Sequence, residues 1–177
     1  MKKQIKRLEE LEACSEAVEW ARDQDNPQQA WDDCERGDWM LWLLGHLSGG
    51  PRSKSRKQIV LMACECARLS LKYVPKGEDR PRIAIETAEA WTRGEATLQQ
   101  VRNAASAAYA AYAAAAAYAA AAAYAAYAAA SAAYAAYAYY AYAAYASAAA
   151  AYASAAASAL NQCADIVRKH YPKAPKL

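Results

Sequence analysis

The sequence predicts an all-α protein, a multi-helix bundle with tryptophan-rich helices in its first half and long Ala/Tyr-rich helices in its second. From Ala104 to Ala159 the chain uses only alanine, tyrosine and serine, and alanine is the best helix former. Before this run, apolar residues recur at helical spacing between cap and breaker residues. No segment shows the alternation of a half-buried strand. Together these observations predict helices throughout.

A length of 177 residues suits one domain. We therefore expect a single all-α domain over residues 1–177. Residues 1–95 should supply the heavier core, because all five tryptophans lie there, four of them before residue 75. Residues 97–170 should form the Ala/Tyr-rich helical region.

The first helices are predicted from amphipathic spacing and from caps. Residues Lys3 to Arg22 carry apolar positions among many charges, which predicts one amphipathic helix ending before Asn26. Asn26 suits the N-cap of a short helix that has Pro27 at its first position and runs to residue 34. Gly37 should break this helix.

The next predicted helix, Trp39 to Leu47, is apolar on nearly every side and should be buried, with Asp38 as its cap. Residues 48–55 form a basic loop. Ser53 or Ser55 then caps a helix that continues to Tyr73.

Asp79 and Pro81 open a further helix, Arg82 to Arg93, which ends at Gly94. Thr97 and Gln100 have the spacing of a capping box, which begins the alanine run. The last helix is expected over residues 160–170, ended by a proline.

The alanine run raises a choice between one long rod and several packed helices. Its 56 residues would make a helix of about 84 Å, whereas a compact chain of this length has a radius of gyration near 16 Å. Tyrosines spaced 18 residues apart share one helical angle, which supports a continuous helix. We nevertheless expect breaks, since an isolated alanine helix buries little apolar area.

Twelve of the 14 tyrosines lie in this run, and all but Tyr118, Tyr139 and Tyr140 form a stripe at helical spacing. The stripe is represented by Tyr109, Tyr127, Tyr134, Tyr145 and Tyr152. Packing over the alanine faces is the first interpretation, and contact with a partner is the second. Ice binding is disfavoured, because the run has no regularly spaced threonine.

Composition argues against several classes of function. The net charge of +3 is mild and the basic residues are interspersed with acids, so we expect no nucleic-acid binding. The run lacks Leu, Ile, Val and Phe, which disfavours membrane insertion. The charged N-terminal ten residues are unlike a secretory signal, so a cytoplasmic protein is expected. Five irregularly spaced cysteines predict neither a disulfide framework nor a metal site, and no cofactor is expected.

Two sequence blocks carry a family resemblance. The block Glu78 to Glu95, with its Asp-Arg-Pro-Arg start and Trp-Thr-Arg-Gly end, is followed by Val101, Arg102 and the alanine-rich helix, and a second block spans Trp31 to Leu44. In these features the chain resembles the family called putative immunity proteins, found in bacterial and phage genomes. The resemblance implies an all-α fold with alanine-rich helices and immunity against a toxin. It implies no catalytic residues.

The same blocks contain the candidate binding residues, which combine tryptophan rings with charged side chains. They are Trp31, Asp32, Arg36, Asp38, Trp39, Arg80, Arg82, Glu86, Trp91 and Arg93. Such residues can form a pocket for a planar, charged ligand such as a nucleotide. The simpler interpretation, which we favour, is core tryptophans, helix caps and an ion pair four residues apart.

No nucleophile with an orienting base is apparent, because His46 and His170 lie far apart and nothing orients Cys34 toward His46. We therefore predict a protein that is not an enzyme and that neutralises a toxin or defence effector by binding it. The alternative is a phage protein that sequesters a nucleotide signal. A self-assembling helical protein is a lesser alternative, and the alanine faces could support a homo-oligomer.

Overall fold

The computed structural model describes residues 1–115, 120–136, 145–146, 149–150 and 158–177. Within these ranges the regular structure is helical, and no strand occurs. The α-helices are α1 (Lys2–Glu10), α2 (Ser15–Arg22), α3 (Pro27–Asp33), α4 (Gly37–Leu47), α5 (Lys54–Arg68), α6 (Arg80–Arg93), α7 (Leu98–Ala115), α8 (Ala120–Tyr134) and α9 (Ser158–His170). The predicted all-α class is confirmed.

Helix α5 lies at the centre of the packing, in contact with α4, α6, α8 and α9. Its side chains Ile59, Val60 and Met62 are almost completely buried. Helices from both halves of the sequence contribute to this one apolar cluster. The large aliphatic side chains of α5 and α6 therefore pack against the alanine surface of α8, and α6 also packs against α7.

The first predicted helix is two helices. Glu12 has a φ of 61°, in the left-handed region, and the Ala13 N–H donates to the Leu8 carbonyl at 3.0 Å. This pattern ends α1 as a glycine usually would. The break lets α2 fold against α1, where Arg22 donates to Glu9 at 2.7 Å.

Gly37 was expected to end α3, but α3 already ends at Asp33, and Asp38 is not a cap. Helix α4 begins at Gly37, and the Asp38 carboxylate accepts hydrogen bonds from Arg36 at 2.9 and 2.8 Å. A Cβ at Gly37 would lie 2.5 Å from the Cβ of Cys163 and 2.6 Å from the backbone nitrogen of Ala164. Glycine is therefore required where α4 touches α9.

Helix α4 is also less buried than predicted. Met40, Leu41 and Leu44 face the core, whereas Trp39 and Trp42 are only partly buried. The apolar side away from the core borders a groove described below.

Three of the predicted helix starts are confirmed by their caps. Asn26 accepts from the Gln29 N–H at 3.0 Å, and Ser53 accepts from the Arg56 N–H at 3.1 Å. Thr97 and Gln100 make the reciprocal bonds of a capping box, at 2.8 and 3.2 Å.

The boundaries of α5 and α6 differ from the prediction. Helix α5 ends at Arg68, not Tyr73, and a short 3₁₀ turn follows it. Helix α6 begins at Arg80, and the Asp79 side chain bonds Arg82 instead of capping the helix. Gly94 ends α6 with a φ of 86°, as predicted.

The alanine run is not a single rod. Helix α7 ends at Ala115, α8 begins at Ala120, and the two helices pack along each other, which confirms the expected break. Methyl side chains allow close approach, so the alanines of α8 from Ala125 to Ala133 are at most 2% exposed. The shared angle of Tyr109 and Tyr127, which supports a continuous helix, therefore belongs to two neighbouring helices. No helix in the described part of the chain is both long and apolar enough to cross a bilayer.

Candidate functional site

Three tyrosines from α7 and α8 meet on the surface. The ring centroids of Tyr109 and Tyr112 are 5.4 Å apart, and those of Tyr112 and Tyr127 are 5.3 Å apart. Tyr109 and Tyr127 approach edge to face at 6.4 Å. Tyr109 is 46% exposed, while Tyr127 packs against the core. We call these three residues the tyrosine patch.

The other stripe tyrosines are distributed differently. Tyr134 packs partly buried against the core, and Tyr145 is 48% exposed. Tyr152 lies outside the described residues. Of the five tyrosines that represent the predicted stripe, Tyr109 and Tyr127 are in contact with each other, and both also contact Tyr112.

A second feature is an apolar groove between α1 to α4 and residues 171–177, with a cavity of about 200 Å³. Its lining includes Trp20, Trp31, Trp39 and Trp42. Trp20 and Trp39 lie with ring centroids 6.1 Å apart. We call it the tryptophan groove.

Residues 171–177 are held on one side of this groove by two side chains. The Trp31 indole N–H donates to the Tyr171 carbonyl at 2.7 Å. The Gln28 amide donates to the Pro172 carbonyl at 3.1 Å and accepts from the Ala174 N–H at 3.0 Å. This anchoring was not predicted, because it joins residues about 140 positions apart. The only sequence signals for this extended, anchored segment are its prolines and the apolar residues at every third position from Tyr171 to Leu177.

The charged residues of the first block are paired near the groove. The Arg36 guanidinium stacks 4.2 Å from the Trp39 ring centroid. Its hydrogen bonds to Asp38 raise the pKa of Arg36 above its ordinary value. Asp32 is exposed and accepts from the Gln28 amide at 2.9 Å.

The charged residues of the second block lie on the surface around α6 and are also paired. Arg80 pairs with Glu78, and Arg93 donates to Glu95 at 2.8 Å. Arg82 bonds Glu86 and Asp79, each at 3.0 Å, which confirms the ion pair with Glu86. Hydrogen bonds to these carboxylates raise the pKa of all three arginines.

Trp91 does not line the tryptophan groove. It is 7% exposed in the core, and the Lys57 Nζ lies 5.8 Å from its ring centroid. Of the three tryptophans expected to form one pocket, Trp31 and Trp39 line the groove and Trp91 does not. The charged residues of the first block lie near the groove, whereas those of the second block lie around α6.

The candidate nucleophile pair has no activating geometry. Burial raises the pKa of the Cys34 thiol, which disfavours the reactive thiolate. The His46 Nδ1–H donates to the Trp42 carbonyl at 2.9 Å within the same helix. In the described part of the chain, no three His, Cys, Asp or Glu residues are grouped to hold a metal ion.

Comparison with known proteins gives one match, to a family model. No curated protein and no solved structure matches the chain. The family model of the Imm-5 like putative immunity protein matches residues 51–174, about seven tenths of the chain. The match includes the tyrosine patch and the block from Glu78 to Glu95, whereas Trp31 to Leu44 lies outside it. The chain belongs to the Imm-5 like putative immunity protein family.

Proposed function

We propose that this chain is a non-catalytic immunity protein that neutralises a toxin or other effector protein by binding it. Its contact surface is the tyrosine patch. The family membership supports the immunity role, and the patch lies within the matched residues. The observation that carries the contact surface is the cluster of three rings with Tyr109 46% exposed.

Tyrosine clusters have the chemistry of protein-binding surfaces. A phenol ring supplies a large contact area while ordering only two side-chain torsions, and its hydroxyl can bond a partner. Tyrosine is accordingly enriched among residues that dominate binding energy. Because Tyr127 is anchored on the core, the patch is ordered before a partner arrives.

The surroundings of the patch favour a protein partner over a charged ligand. No charged residue occurs in the sequence between Arg102 and Asp165, and the centres of protein interfaces are depleted in charge. A nucleotide would instead need free cations beside an aromatic face. The candidate arginines Arg36, Arg82 and Arg93 are each paired with a carboxylate.

The test is co-expression with each protein encoded beside this chain's gene, one of which we expect to arrest growth when it is expressed alone. We expect a 1:1 complex, restored growth and no turnover of the toxin. The double variant Tyr109→Ala and Tyr112→Ala should weaken binding by about 30-fold or more, as for hot-spot residues.

The matched control is Tyr73→Ala, which removes a partly exposed tyrosine outside the patch. It should bind as the unaltered chain does. Equal affinity of the patch variant and the control would reject the patch, and catalytic modification of the toxin would reject the non-catalytic mechanism.

A further inference from the structure

The tryptophan groove is an apolar groove that no side chain of the described residues fills. Protein interiors are normally close-packed, and apolar side chains beside a void lose contacts. Here a cavity of about 200 Å³ is lined almost wholly by apolar groups, among them Leu8, Ala17 and Leu43 besides four tryptophans. An apolar cavity of about 150 Å³ holds a benzene molecule, so by proportion this one has room for about eight carbon atoms.

A shallower, more polar depression adjoins the groove. Gln4, Pro27 and Pro175 are among the residues that line both spaces, so the two lie side by side. The depression adds the side-chain amide of Asn26 and the ammonium of Lys176. Gln28 also lines it, but both N–H groups of the Gln28 amide already bond Asp32 and Pro172. No Asp or Glu is among its described lining residues, and Lys176 makes no ion pair in the described part of the chain.

This arrangement combines an apolar body site with a polar, cationic mouth. We infer that the tryptophan groove binds a small anionic amphiphile, a medium-chain carboxylate of about eight carbons. Its hydrocarbon chain lies against the tryptophans, and its carboxylate lies beside Lys176 and the Asn26 amide. An uncharged molecule would leave the mouth without a partner, and a cation would be repelled by Lys176.

The groove is independent of the function proposed above. Its walls come mainly from α1 to α4, before the first matched residue at position 51, and the tyrosine patch is on α7 and α8. Ligand binding can therefore be measured on the isolated chain with no toxin present. Failure of either proposal leaves the other standing.

Tryptophan emission is a suitable readout, because four of the five tryptophans line the groove. Excitation at the red edge avoids the 14 tyrosines. Sodium hexanoate, octanoate and decanoate are titrated below their micelle concentrations. We expect a saturable change in emission, with octanoate binding about 15-fold more tightly than hexanoate, because each buried methylene contributes about fourfold. Decanoate should gain little more, since the groove is then full.

Two variants locate the ligand. Ala17→Leu fills the groove from α2 and should abolish the change, whereas Ala110→Leu adds the same group to an exposed site on α7 and should not. Lys176→Met should weaken octanoate by about fivefold, as expected for an exposed charge pair, and leave octanol unchanged. Lys173→Met is its control, because Lys173 lines neither space.

Several outcomes would overturn the inference. These are equal binding by octanoate and octylammonium, an Ala17→Leu variant that binds normally, or a Lys176→Met variant that matches Lys173→Met. Binding to anionic phospholipid vesicles without binding to free octanoate would identify a membrane surface and also refute it. Lys176 is exposed, so this variant remains informative even if Ala17→Leu fails to fold.

Discussion

Gly37 sets how closely α4 and α9 approach each other. The atoms nearest to a Cβ built at this position include backbone atoms of residues 163 and 164, which cannot move aside as a flexible side chain could. Its importance is therefore steric and not conformational.

We predict that Gly37→Ala lowers the free energy of unfolding by about 2 kcal/mol, the usual cost of overpacking. Gly50→Ala is the matched control, because no atom lies within 4 Å of its Cβ position. Urea denaturation of both variants measures the difference. Equal stability would show that α4 and α9 are farther apart than the structure places them.

The five cysteines differ sharply in environment. Cys14 is exposed, whereas Cys34, Cys64, Cys66 and Cys163 are buried. Burial raises the pKa of the Cys34, Cys64 and Cys66 thiols and so suppresses their thiolates at neutral pH.

A thiol reagent should therefore label one cysteine per folded chain at pH 7, and all five after denaturation. Cys14→Ser should remove the fast reaction entirely. Rapid labelling of any thiol in that variant would contradict the burial of the other four.

At the scale of elements, the turn between α1 and α2 depends on Glu12. A side chain in the left-handed region costs about 1–2 kcal/mol, and glycine avoids this cost while losing some backbone entropy on folding. Glu12 is exposed, so its replacement removes no packing.

We predict that Glu12→Gly raises the free energy of unfolding by about 0.5–1 kcal/mol. Glu19→Gly, an exposed position inside α2, should lower it by about 1 kcal/mol. Thermal denaturation followed by circular dichroism compares the two. A loss of stability in Glu12→Gly would show that α1 and α2 are one helix.

Local signals in the sequence were sufficient for elements whose causes are local. The caps at Asn26 and Thr97 and the terminal Gly94 were predicted because each bond spans only a few residues. The break at Glu12 was missed, since glutamate is a good helix former and its conformation follows from α2 packing on α1.

The candidate surfaces were less predictable, because they depend on distant parts of the chain. Trp31 and Trp39 were identified, but the groove also needs residues 171–177, which follow α9. Tyr109 and Tyr127 were identified from their shared phase. That phase alone could not distinguish one helix from two adjacent helices.

At the scale of the whole molecule, the alanine run folds back so that α7 and α8 pack side by side. Alanine supplies little apolar area per residue, so a bundle is favoured by burying methyl groups on nearly every side. The fold-back also assembles the tyrosine patch, because Tyr109 and Tyr127 belong to different helices. The proposed contact surface therefore exists only if the run turns.

The distance between positions 109 and 127 tests this directly. Spin labels are attached to Tyr109→Cys and Tyr127→Cys in a Cys14→Ser chain, and their dipolar coupling is measured. Packed helices place the two backbones about 10 Å apart, which predicts strong dipolar broadening. One continuous helix would separate them by about 27 Å. A label-to-label distance of that size, obtained from the dipolar coupling, would contradict both the fold-back and the tyrosine patch.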